Sequence, residues 1–176
     1  MDTVMESLNP NILKPWDIIL YQPVPFTIKD SIGWTFDKLI AEKTWHNICH
    51  VEVYTGHETS IAARNGVGVN QYPLRTAQAV HVLRLINPNE FNSLEAWKWF
   101  LKVRGQGYDW KGLLRFAYFK EIGSYSTAPH AMFCSEFAAR FFANGNVLLF
   151  GGEDADAIAP FQFETTPLLN GIWSGV

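Results

Sequence analysis

Two residues carry most of the chemistry this chain can offer. Cys134 stands in "APHAMFCSEFAARFFANG", directly before an apolar run with helical spacing. A thiol on the first turn of a helix feels the positive end of the helix dipole, which favours the reactive thiolate. His50 opens "HVEVYTG", an alternating run rich in β-branched residues, so its imidazole is held on one face of a strand. Glu52 shares that face two residues on, roughly 7 Å along a strand. It can orient the imidazole as the third member of a triad does. Each residue also has a plainer reading. Cys134 can be a small core residue, since free cysteines are commonly buried. His50 can be an ordinary satisfied histidine, and Glu52 a carboxylate on the wet side of a sheet.

Other chemistries find less support. "HNICHVE" gathers His46, Cys49, His50 and Glu52, with His57 after it, but lacks zinc spacing and any His-Glu-x-x-His pattern. No metal and no cofactor is expected. "GVG" at Gly66–Gly68 lacks the third glycine and the helix of a phosphate loop. No Gly-x-Ser-x-Gly elbow is present.

The elements that must position these residues can be read from periodicity. "WDIILYQP" (16–23) predicts a buried strand. "TIKDSIGWTFDKLIAEKT" (27–44) has helical spacing, capped by Asp30 or Ser31. "HVEVYTG", a turn at "GHE" and "TSIAARNG" predict a hairpin. "GVGVNQYPL" and "AVHVLRLI" add strands. "PNEFNSLEAWKWFLKVRG" predicts a helix capped by Asn92 or Ser93, with Leu94, Trp97, Phe100 and Leu101 as its apolar stripe. "DWKGLLRFAYFKEIG" (109–123) predicts a second helix, and "CSEFAARFFANG" a third that stops at Asn144-Gly145. Residues 1–15 read as a loosely packed lead-in with a short helical turn, and "FETTPLLNGIWSGV" as loop. The order implies an α+β fold with an antiparallel sheet packed against helices.

The totals narrow the class. The 176 residues suit one domain, 48% hydrophobic and 18% charged, a globular balance. A net charge of −3 without a Lys/Arg run argues against a nucleic-acid surface. Two cysteines make no disulfide framework, although one Cys49–Cys134 bridge is open. The acidic N-terminus does not resemble a secretory signal, and no apolar run reaches the length of a membrane span. These features imply a cytoplasmic protein, or one released without a signal peptide.

Taken in order, "WDIILYQP", "HVEVYTG", "NGVGVNQYPL", "GQGYDWKGLLRF" and "FCSEFAARFFANG" resemble the circularly permuted, papain-like branch of the NlpC superfamily. YiiX-like and YycO-like proteins belong to it, with lecithin retinol acyltransferase a distant member. The resemblance covers roughly residues 16–150. It implies a permuted papain-like fold with Cys134 as nucleophile and His50 as base. The reaction implied is cleavage of an amide or ester through a thioester acyl-enzyme. A peptide or peptidoglycan-like compound is the implied substrate, with acyl transfer from a lipid-type donor as an alternative. The backbone amide of Cys134 is an expected oxyanion donor. One departure stands out. The third polar residue of the family falls at Ala62 or Ala63 here, which leaves Glu52 or Gln22 to orient the imidazole. Arg64 is a poor substitute, since a cation disfavours imidazolium. A binding protein that keeps the fold and has lost turnover is the reading from a different class.

Overall fold

A computed structural model describes residues 7–23, 47–109, 112 and 130–175. Among them, six strands form one antiparallel sheet: β1 (Ile18–Tyr21), β2 (His50–Gly56), β3 (Thr59–Arg64), β4 (Gly68–Pro73), β5 (Ala79–Leu85) and β8 (Leu169–Ser174). Their order across the sheet is β4-β3-β2-β1-β5-β8. Two short strands, β6 (Gly107–Tyr108) and β7 (Ala131–Met132), pair in parallel. The sheet is accompanied by helices α1 (Ser93–Val103) and α2 (Cys134–Asn144). The fold is α+β with an antiparallel sheet. The helix expected over residues 27–44 lies outside the described residues, as does nearly all of that expected over 109–123.

Why β1 reads as an unbroken apolar run is clear from its place. It sits near the centre of the sheet, and all four of its residues are buried. Ile18 and Leu20 join Val51, Val53, Ile61 and Phe137 in one cluster. Ile19 and Tyr21 join Leu8, Tyr54 and Val82 in a second. Successive strand residues point to opposite faces, so a strand covered on both faces needs apolar residues throughout. In β2 the same alternation puts Val51 and Val53 in the first cluster and Tyr54, with Glu52 and His50, on the opposite side.

The β2–β3 hairpin turns at His57 and Glu58, whose φ values of 50° and 54° are both left-handed. That is the conformation a tight two-residue hairpin requires. In α1, the Asn92 side chain accepts a hydrogen bond from the Glu95 amide at 3.2 Å, the expected cap. The expected stripe holds in part, with Phe100 in the core and Trp97 packed against it. Ala96 and Phe100 are buried, while Leu94 and Leu101 are more than half exposed. The helix presents the side one position round, because Trp99 stacks on Phe137 of α2 and draws that face inward.

At the end of α2, Gly145 is needed for closeness and not for handedness. Its φ is −91°, and a Cβ there would stand 2.2 Å from Phe91 Cε2. Asn146, with φ of 69°, takes the left-handed position instead. Two sequence expectations are overturned. The tail is not loop: Leu169–Ser174 pairs with β5, with a register shift between Val82 and Leu83. Its Asn170-Gly171 pair reads locally as a turn, but the open edge of β5 supplies hydrogen bonds that local propensity does not foresee. Nor is the described part of the lead-in loose, since Leu8 is 2% exposed and packs under the second cluster. Cys49 and Cys134 are both thiols outside any disulfide, so the bridge between them does not form.

Candidate functional site

Glu52 is the centre of the polar arrangement, and it is not on a wet face. Its side chain is 0% exposed. Tyr54 pairs with Ser60 and Val53 with Ile61, which turns Ser60 and Arg64 of β3 to the Glu52 side of the hairpin. The Arg64 guanidinium grips the carboxylate at both oxygens, Nε to Oε1 at 2.8 Å and NH2 to Oε2 at 2.9 Å. This is the bidentate geometry that makes arginine–carboxylate pairs strong. Ser60 donates to Oε2, and Arg75, just past β4, donates to Oε1 at 2.8 Å. The Tyr21 hydroxyl approaches Oε2 at 3.5 Å.

His50 Nε2 lies 3.0 Å from Glu52 Oε1. Burial pushes the Glu52 pKa up, but His50, Arg64 and Arg75 outweigh it and hold the carboxyl well below its usual range. Glu52 is therefore an ionised acceptor, and Nε2 carries the proton that it accepts. Burial pushes the His50 imidazole below its ordinary value, with Arg75 and Arg64 in the same direction and Glu52 against them. The ring at neutral pH is uncharged, with a lone pair on Nδ1. A ring in this state is a base, oriented from behind by a carboxylate. Burial, and then the Glu52 carboxylate, raise the Tyr21 hydroxyl well above its usual value, so it stays protonated.

No protein-family model and no curated protein matches this chain.

A cavity of about 150 Å³ opens beside His50, with Cys49, Arg64, Arg75 and Tyr108 among the residues around it. Cys49 donates its thiol to the Tyr21 carbonyl at 3.5 Å. Cys134 is the first residue of α2 and 1% exposed. It packs into the cluster that holds Val51, Val53 and Phe137. Thus the structure joins His50 to Glu52 by a hydrogen bond. It sets Cys134 at the opening of the helix packed over the other side of β2. Gln22, the other candidate orienter, lines the cavity and accepts from Asn47 at 3.1 Å. Ala62 and Ala63 are fully buried.

The Cys-Ser-Glu run has structural work beside its thiol. Phe133 at the N-cap offers no side-chain hydrogen bond to α2. Ser135 instead anchors the first turn by donating to the Ile158 carbonyl at 2.6 Å. Glu136 is 1% exposed and bonds Arg140 at 2.9 Å, while its Oε2 has no hydrogen-bond partner among the described residues. Burial raises its pKa to about 7 against the pull of Arg140, with Asp156 and Asp109 adding to the rise. Among the described residues no three His, Cys, Asp or Glu side chains converge as a metal site. The residues that sequence reasoning missed are Ser60, Arg64 in its bidentate role and Arg75. Only Arg64 and Ser60 carry a local signal, their parity on β3 opposite Glu52.

Proposed function

We propose that the protein is a cysteine hydrolase of the permuted papain-like type. His50 acts as general base and Glu52 holds its imidazole in the productive tautomer. Cys134, on the first turn of α2, supplies the thiol. The observation that carries this reading is the 3.0 Å bond between His50 Nε2 and the buried, ionised Glu52. It fixes the proton on Nε2 and leaves the lone pair on Nδ1, the state in which an imidazole can take a proton from a thiol. The thiolate attacks a carbonyl carbon and displaces the amine or alcohol, which leaves with a proton from the imidazolium. Water then attacks the thioester, releases the acid and restores the thiol. Peptide or peptidoglycan-like amides are the substrates of first choice. An amine or alcohol acceptor in place of water would make the same site an acyltransferase.

A second reading, a binding protein that has lost turnover, is favoured by the two arginines on Glu52. They already neutralise the carboxylate, and their charge disfavours the imidazolium that thiol activation creates. One experiment separates the readings: alkylation rates of each cysteine against pH, read by mass spectrometry, with His50→Ala beside the parent. Fast labelling of Cys134 well below pH 8, slowed in the variant, supports the hydrolase. Labelling as slow as an unperturbed thiol of pKa about 8.5 refutes it. Cys49 is followed separately, because it lines the cavity with His50. His50-dependent labelling of Cys49 in place of Cys134 would also refute the assignment of Cys134.

A further inference from the structure

We propose that the cavity beside His50 binds one small oxyanion-bearing group, a carboxylate or a phosphate. The charges there do not balance. Arg64 and Glu52 already form a complete pair through two parallel bonds. Arg75 brings a second guanidinium, and no Asp or Glu occurs among the described residues lining the cavity. His50 is neutral and adds no negative charge. Counted over the described residues, the wall therefore carries one positive charge in excess, and an unmatched charge in a recess is costly.

Arg75 is built to receive a ligand. It uses Nη2 on Glu52, at 2.8 Å, and its guanidinium lies 4.6 Å from the centre of the Tyr21 ring. Stacking fixes the plane of the fork and leaves its edge for hydrogen bonds. Its Nε is buried without a hydrogen-bond partner among the described residues. The side chain as a whole is 34% exposed, so an incoming group can reach it. His50, Gln22 and Tyr108 add polar groups around the same space. A cavity of about 150 Å³ takes a ligand the size of benzene. That admits phosphate or a short-chain carboxylate. Resting on the hydrolase reading, the substrate is an acyl compound with a carboxylate near its scissile carbonyl.

The test uses the full chain as Cys134→Ser, so that no acylation intrudes. Histidine side-chain NMR follows His50 at pH 7 and constant ionic strength while inorganic phosphate, or separately glutarate, is added. Saturable shifts of the His50 signals with a dissociation constant in the millimolar range are expected for at least one probe. Which probe binds more tightly tells phosphate from carboxylate. Arg75→Gln should weaken binding about tenfold or more, the loss of a charge-assisted hydrogen bond. Arg75→Lys, which keeps the charge, should weaken it less. Arg104→Gln, a surface change, should leave it unaltered. The proposal is overturned by the absence of saturable shifts up to about 50 mM of both probes. It is also overturned by unchanged binding in Arg75→Gln, or in Arg75→Lys and Gln alike. Should Arg75→Gln fail to fold by circular dichroism, the lysine variant decides: its binding must be weaker than the parent's. Failure here with thiol acylation intact removes the anion site alone. Binding beside an inert thiol removes the hydrolase reading alone.

Discussion

Replacing Glu136 by glutamine should change how stability depends on pH, and the structure fixes the sign. Burial holds the Glu136 carboxyl at about 7, against an ordinary value of 4.5. The folded protein therefore keeps this proton more tightly than the unfolded chain. The resulting stability is fully present below pH 4.5 and is lost as pH rises through about 7. A gap between 4.5 and about 7, at ~1.4 kcal/mol per pH unit, amounts to about 3 kcal/mol. Most of that is lost between pH 5 and pH 8. Glutamine keeps the size and hydrogen-bonding shape and does not titrate. The ion pair it loses is to Arg140, whose side chain is 44% exposed, so that bond contributes little. The assay is thermal unfolding of parent and Glu136→Gln in parallel from pH 5 to pH 8. Relative to the parent, the variant should gain about 5–10 °C between those limits. Any constant offset from the substitution itself cancels in this comparison. A difference in melting temperature that stays flat within about 1 °C across the range would refute the reasoning, and would mean that Glu136 is ionised throughout.

Other outcomes follow from the same contacts. Glu52→Gln should destabilise the fold by about 3–5 kcal/mol, because it strands the Arg64 and Arg75 guanidinium groups around a buried neutral side chain; denaturant unfolding measures this, and a loss under about 1 kcal/mol would contradict the hub. The His50 imidazole should titrate below 6.5 by NMR, and Arg75→Gln should raise its midpoint by removing a neighbouring cation. Gly145→Ala should cost about 1–3 kcal/mol, since the added methyl meets the Phe91 ring; an unperturbed melting curve would show that the ring moves aside freely. Ser135→Ala should cost about 1–3 kcal/mol by leaving the buried Ile158 carbonyl unpaired, read by chemical denaturation.

Much of the positioning framework was legible in local pattern. The β2–β3 hairpin follows from strict alternation around a polar turn, and both ends of the Cys134 helix follow from its apolar spacing and its Asn-Gly stop. What local pattern cannot convey is convergence. Nothing near Arg75 announces that it meets Glu52, 23 residues away, because that contact depends on the path of the chain after β4. Glu52 was readable as a strand-face carboxylate beside His50, but its burial was not, since the cover comes from Tyr21 on β1 and Arg64 on β3. The last strand was hidden for a related reason: its Asn-Gly pair advertises a turn, and only the edge of β5 makes a strand of it. In the apolar stripe of α1, Trp97 and Phe100 were legible and Leu94 and Leu101 misled, because Leu is a strong local cue while the face that is buried is chosen by the partner helix.

The alternation along β2 has a consequence for how this protein can change. His50, Glu52 and Tyr54 face one side, Val51 and Val53 the other, and the two sets belong to separate packing environments. A run of five residues thus carries two interleaved scripts. Substitutions at even positions rewrite charge and proton affinity, and substitutions at odd positions rewrite the fit of the helix. Drift in one script leaves the other readable. Inserting or deleting one residue here exchanges them wholesale, so point substitution, not length change, is the route by which this strand can vary.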